Sequence, residues 1–127
     1  MSKYVLDASA VLALLNQETG MDRVAAVLVD SCMGTVNYCE VLGKLIDAGL
    51  PEKDARESVE LLNVEVIPFD TDMARLAAVL RPTTKALGLS LGDRSCLALA
   101  LSRRNVALTA ERAWAKLKIG VKVELIR

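Results

Sequence analysis

Lys3-Tyr-Val-Leu-Asp-Ala-Ser-Ala-Val-Leu-Ala-Leu-Leu15 holds the fold in miniature. Lys3 to Leu6 is a short β-prone run that reads as a buried strand. Ala8 to Leu15 reads as a helix, with Asp7 closing the strand between them. The same alternation continues outward. Met21 to Val29 predicts a second helix ending near Asp30-Ser31, and Cys32 to Val36 a short strand. Val36 to Ala48 predicts a helix closed by Gly49, with Pro51 beyond it. Pro51 opens a polar, acidic helix to Asn63, and Val64 to Ile67 is a strand stopped by Pro68. Asp70 or Thr71 caps a helix over 72–80, and Arg81-Pro-Thr-Thr-Lys85 reads as a loop. A long helix is expected from Ser90 to about Arg104. It is followed by a strand over 106–108, a helix over 110–117, a turn at Gly120 and a last strand over 121–126. Strands separated by helices of crossover length predict an α/β fold: a parallel sheet of about five strands covered on both faces. Ligands of such sheets bind outside the carboxyl ends of the strands.

Composition narrows the chemistry. A chain of 127 residues has room for one core, so residues 1–127 are expected to form a single domain. Apolar residues at 53% and charged residues at 25% exclude a disordered chain. The mean hydropathy of +0.34 is high for a soluble monomer and points to apolar surface covered by another chain. The longest apolar runs (10–15, 24–29 and 96–101) are far too short to span a membrane. Asp7 falls where a signal peptide's apolar centre would lie, so a cytoplasmic protein is expected.

Cys32, Cys39 and Cys96 are odd in number and without paired spacing, which argues against disulfides and zinc and for small core residues. The absence of histidine excludes more. It leaves no Ser-His-Asp triad, no His metal ligand, and no histidine pair to cleave RNA through its 2′-hydroxyl. A hydrolase built from this chain must use carboxylates, with a metal. Residues 1–92 hold 8 Lys and Arg against 13 Asp and Glu, whereas residues 93–127 hold 8 against 3. That asymmetry suits a polyanion near the C-terminal part. Four aromatics, Tyr4, Tyr38, Phe69 and Trp114, are too few for a base-stacking platform.

Four acids fall at four predicted helix starts: Asp7, Glu40, Asp93 and Glu111. Each has a capping explanation: Asp7 as a helix cap itself, the others through Asn37-x-x-Glu40, Ser90-x-x-Asp93 and Thr109 ahead of Glu111. Three of them follow strands, and all should face one end of the sheet. Capping does not require them to converge, whereas a metal site does. Two carboxylates about 4 Å apart repel by roughly 4 kcal/mol at an effective dielectric near 20. Oxygen-only ligands suit Mg²⁺ or Mn²⁺, which bind phosphate oxygens and activate water for phosphodiester hydrolysis.

At these residues the chain resembles a PIN domain, and specifically the VapC-type toxins of bacterial toxin–antitoxin pairs. The matching motifs are Tyr4-Val-Leu-Asp7-Ala-Ser9-Ala-Val-Leu, Asn37-Tyr-Cys-Glu40-Val, Leu89-Ser-Leu-Gly-Asp93 and Leu108-Thr109-Ala-Glu111-Arg-Ala-Trp114. The resemblance implies a three-layer α/β/α fold with strand order 3-2-1-4-5 and an Mg²⁺-dependent endoribonuclease. It makes Asp7, Glu40 and Asp93 the metal-site acids, with Mn²⁺ an alternative ion. The fourth acid is usually Asp, so Glu111 departs from the pattern and is expected at the periphery. Ser9 and Thr109 match small hydroxyl positions beside the site, where they orient an acid or a water or else cap helices. Arg112 and Lys116 are candidate RNA phosphate contacts, and Trp114 a core or interface anchor. A VapB-like antitoxin and a second copy of the chain are the implied protein partners, and RNA the substrate. The alternatives are a PIN nuclease of RNA maturation and a non-catalytic module of the same fold. A phosphoacceptor domain of response-regulator type would need an acid pair after the first strand and a Lys after a late one. Neither is present.

Overall fold

Side chains alternate across five short strands so that both faces of the sheet are buried. The computed structural model describes residues 2–127. Strands β1 (Tyr4–Leu6), β2 (Ser31–Gly34), β3 (Glu65–Ile67), β4 (Val106–Thr109) and β5 (Val123–Leu125) form one parallel sheet in the order β3-β2-β1-β4-β5. Val5 lies opposite Cys32 and Ala107 on one face, and Leu6 opposite Leu108 on the other. Helices α1 (Ala8–Leu15), α2 (Met21–Val27), α3 (Thr35–Asp47) and α4 (Glu52–Glu60) cover the Leu6 face, where Val11, Val24, Val41 and Val59 pack with Met33 and Leu108. The Val5 face is covered by α5 (Thr71–Val79) and α7 (Leu91–Arg103), whose Ala77 and Cys96 to Ala100 pack with Cys32, Ala107 and Trp114.

Helix α7 runs through the interior, burying Gly92 and every residue from Ser95 to Ala100, and α1 buries four of its eight. A helix apolar on all sides belongs inside a protein. Much of the high mean hydropathy is therefore interior, although Val29 and Leu61 remain 92% and 86% exposed. Among the described residues no helix is long and apolar enough to cross a membrane.

Three expectations need correction. Arg81 to Lys85 is no loop: Arg81–Thr84 forms a short helix, α6, and a 3₁₀ turn follows over Lys85–Leu87. Pro82 is preorganised for a first helical turn. Buried Thr84 turns inward and donates to the carbonyl of Leu80. The segment after β4 is a 3₁₀ turn over Arg112–Lys116 rather than an α-helix. Cys39 is exposed, because α3 buries Asn37, Val41 and Leu45 and directs Cys39 to its other side. Cys32, Cys96 and Trp114 are buried as expected.

The chain's end docks on the loop before α2. Ile126 donates its N–H to the carbonyl of Thr109, and Arg127 donates to that of Thr19. Gly20 lies beneath, with φ of +98° and room for no side chain: a Cβ there would lie 2.6 Å from the Ile126 carbonyl oxygen. A left-handed residue with a Cβ costs about 1–2 kcal/mol, to which the backbone clash adds. Gly20→Ala is expected to lower stability by about 2 kcal/mol or more, read as a fall in the urea midpoint at unchanged m-value. An unchanged midpoint would mean that the docked end yields without resistance.

Candidate active site

The four acids occupy one cleft. Asp7, Glu40, Asp93 and Glu111 line a space of about 170 Å³ together with Ala8, Ser9, Leu12 and Lys44. The topology accounts for this. Parallel strands present all their carboxyl ends at one edge, where β1 runs into Asp7, β2 into α3 and β4 into the Glu111 turn. Helix α7 brings its first turn, with Asp93, to the same edge.

Asp7 is 3% exposed and follows β1 directly, its N–H donating to the Leu108 carbonyl. It occupies the N-cap position of α1, yet its carboxylate caps nothing. Instead Oδ2 accepts from Ser9 Oγ at 2.7 Å and from Thr109 Oγ1 at 2.9 Å. Each hydroxyl has a single proton, directed at Asp7. Their oxygens in turn accept, from the N–H groups of Ala110 and Glu111 respectively. Ser9 and Thr109 thus fasten Asp7 to the segment that carries Glu111. Burial pushes the Asp7 carboxyl up to about 6 from 3.8; the two hydroxyls pull against this, and the charges of Asp93 and Glu40 add to it.

Glu40 is no part of a capping box, since Gly34 is the N-cap of α3 and Asn37 already lies in its first turn. Its Oε1 accepts from Asn37 Nδ2 at 2.9 Å. Partial burial raises its carboxyl, the Asn37 bond lowers it, Asp93 raises it and Lys44 lowers it. Asp93, by contrast, does complete the expected box: Ser90 Oγ accepts from its N–H, and its Oδ2 accepts from the Ser90 N–H at 2.8 Å.

A common pattern emerges. Among the described residues, Asp7, Glu40 and Asp93 each have one carboxylate oxygen bound by the scaffold and the other without a protein donor. Glu111 has neither oxygen bound and is exposed. Among the described residues no three His, Cys, Asp or Glu side chains form a ready-made direct ligand cage. Mg²⁺ does not require such a cage, since it keeps several waters and uses one or two carboxylates. An all-oxygen donor set in which burial, with the neighbouring Asp93 charge, raises the Asp7 and Glu40 carboxyls fits a hard divalent cation, which offsets that cost.

Arg112 and Lys116 are exposed and do not line the cleft. At three residues per turn, a spacing of four does not align them on one face. The cation that lines it is Lys44, four residues after Glu40 on α3, a spacing readable in sequence. The Asn37–Glu40 spacing is readable in sequence, but the contacts of both with Gly92 are not, because they depend on how α3 packs against α7.

Residues 4–120 match the PIN domain family. Among solved structures the fold is similar to DNA-bound VapBC from Salmonella typhimurium, at 20% identity, full coverage of both chains and a TM-score of 0.79. It is also similar to FitAcB from Neisseria gonorrhoeae, at 22% identity, 97% coverage of each chain and a TM-score of 0.69. A third is VapBC-5 from Mycobacterium tuberculosis, at 25% identity, 98% coverage of each chain and a TM-score of 0.61. No curated protein sequence matches the chain. With the strand order 3-2-1-4-5, the four acids in one cleft and a family match over nearly the whole length, the chain belongs to the PIN domain family.

Proposed function

We propose that the chain is an Mg²⁺-dependent endoribonuclease and the toxin of a VapBC-like toxin–antitoxin pair. The observation that carries the nuclease reading is three carboxylates lining one cleft, each anchored to the scaffold through one oxygen. Asp7, Asp93 and Glu40 would hold the ion, and Mn²⁺ could replace it. Bound there, Mg²⁺ supplies positive charge to the phosphodiester and lowers the pKa of a water nucleophile. Ser9 and Thr109 fix the Asp7 carboxylate against rotation. Lys44 in the cleft, with Arg112 and Lys116 on the adjoining turn, offers positive charge to RNA phosphates.

With no histidine in the chain, attack through the RNA 2′-hydroxyl lacks a histidine acid–base pair. Cleavage is therefore expected to leave 5′-phosphate and 3′-hydroxyl ends and to stop in EDTA. End-labelled RNA, with product ends typed by phosphatase and kinase treatment, checks this. Cyclic phosphate ends, or cleavage that survives chelation, would refute the mechanism.

The toxin reading is supported by the fold it shares with the VapBC and FitAcB structures. Exposed Val29, Ile46 and Leu61 offer apolar surface to a VapB-like antitoxin or to a second copy of the chain, and the reading places the protein in the cytoplasm with its RNA. Expression alone should arrest growth, and co-expression with a small DNA-binding partner should relieve it. A chain that is monomeric and harmless when expressed alone would overturn the toxin reading.

A further inference from the structure

Asn37 is fully buried, and both its amide protons are engaged. Nδ2 donates to Glu40 Oε1 at 2.9 Å and to the carbonyl of Gly92 at 3.1 Å. Its own Oδ1 is buried without a partner. The reverse orientation would set three acceptors against one another, so the surroundings fix the amide's direction. A buried amide left half unsatisfied is a poor choice for stability alone, because an apolar side chain of similar size would leave no orphaned carbonyl. What the amide does is join two helices that carry two of the acids: Glu40 on α3, and Asp93, next to Gly92, on α7.

Gly92 completes the seat. Its backbone is helical, so no unusual φ requires glycine there. Space does require it: a Cβ at Gly92 would lie 2.3 Å from Glu40 Oε1 and 2.5 Å from Cδ and Oε2. The Glu40 carboxylate therefore rests on the bare Cα of Gly92 while Asn37 holds it from the side.

We propose that Asn37 and Gly92 are positioning residues that seat the Glu40 carboxylate beside Asp93 for the divalent cation. This rests on the metal-site reading above. The probe is Mn²⁺ alone, its affinity for the full-length chain measured by water-proton relaxation, with metal-free melting temperatures recorded alongside. Gly92→Ala should weaken Mn²⁺ binding at least about tenfold, the scale seen when outer supports of a metal ligand are lost. Its metal-free melting temperature should hold or rise, since Ala is the better helix former. Asn37→Ala should weaken binding about tenfold in the native background and less than about twofold in Glu40→Gln, because its effect passes through that carboxylate. A merely structural Asn37 would give the same loss in both backgrounds, which would overturn its role. If Asn37→Ala does not fold, Gly92→Ala decides alone, and native-like Mn²⁺ affinity in it overturns the inference while leaving the metal site standing. A native chain that binds no Mn²⁺ overturns both.

Discussion

Asp7→Asn is expected to reduce RNA cleavage by about three orders of magnitude or more and, at pH 7, to stabilise the metal-free protein. The substitution is nearly isosteric. The new amide's carbonyl oxygen can accept from Ser9 and Thr109 as Oδ2 does, which places its NH₂ where the donor-free oxygen was. The fold keeps its hydrogen bonds, and the cleft loses an anionic ligand. Losing several kcal/mol of charge stabilisation corresponds to a factor of about 10³ at 1.36 kcal/mol per tenfold. The stability change has the opposite sign. Burial pushes the Asp7 carboxyl up to about 6 in the folded chain from its ordinary value of 3.8. A raised carboxyl means that the folded state binds the extra proton, so the Asp7 contribution to stability is greatest below about pH 4. It falls as pH rises to about 6 and levels off above. About two units correspond to roughly 3 kcal/mol. Glu40, also raised by burial, contributes in the same direction. Urea melts in EDTA at pH 4.5 and 7.5 should show the native chain losing stability across that interval and Asp7→Asn losing much less. A variant that cleaves, or one with the native pH profile, would contradict this account.

The sheet and its acids were legible because the physics that makes them is local. Buried parallel strands read as short apolar runs, and an acid after such a run lies at the sheet's carboxyl edge, as Asp7 does after Leu6 and Glu111 after β4. Caps were legible for the same reason. Asp70 accepts from the Met73 N–H and Ser90 from that of Asp93, both within one turn of chain. What stayed hidden depends on distant partners. Thr84 is drawn into a helix because the rest of the fold buries it completely, whereas composition alone reads Pro82-Thr-Thr as a loop. Asn37 offers capping-box spacing to Glu40, but its amide reaches Gly92, 55 residues on. The spacing was right and the chemistry different: a side-chain pair seated on a neighbouring helix.

Asp93→Asn is expected to remove cleavage about as fully as Asp7→Asn, and Glu111→Gln only about tenfold, although both acids line the same cleft. The difference lies in how each is held. Asp93 is fixed at the start of α7 by reciprocal bonds with Ser90, so its carboxylate is held at a defined place beside the cleft. An Asn there can still accept from the Ser90 N–H, so α7 should start as before and the loss reports on charge. Glu111 is fastened only through its backbone, whose N–H donates to Thr109 Oγ1 and whose carbonyl accepts from the Trp114 N–H, and its side chain makes no hydrogen bond among the described residues. One more rotatable bond than Asp leaves its carboxylate less fixed, and ordering it on an ion offsets part of any gain. A contact through water to the ion or to RNA suits such a group, and Glu111→Asp should be tolerated. Single-turnover cleavage and Mn²⁺ affinity of the three variants, measured side by side, rank the acids. Equal loss in Glu111→Gln and Asp93→Asn would make Glu111 a full ligand. No loss in Glu111→Gln would leave it as an acid that only opens a helical turn, and the site would then rest on Asp7, Glu40 and Asp93.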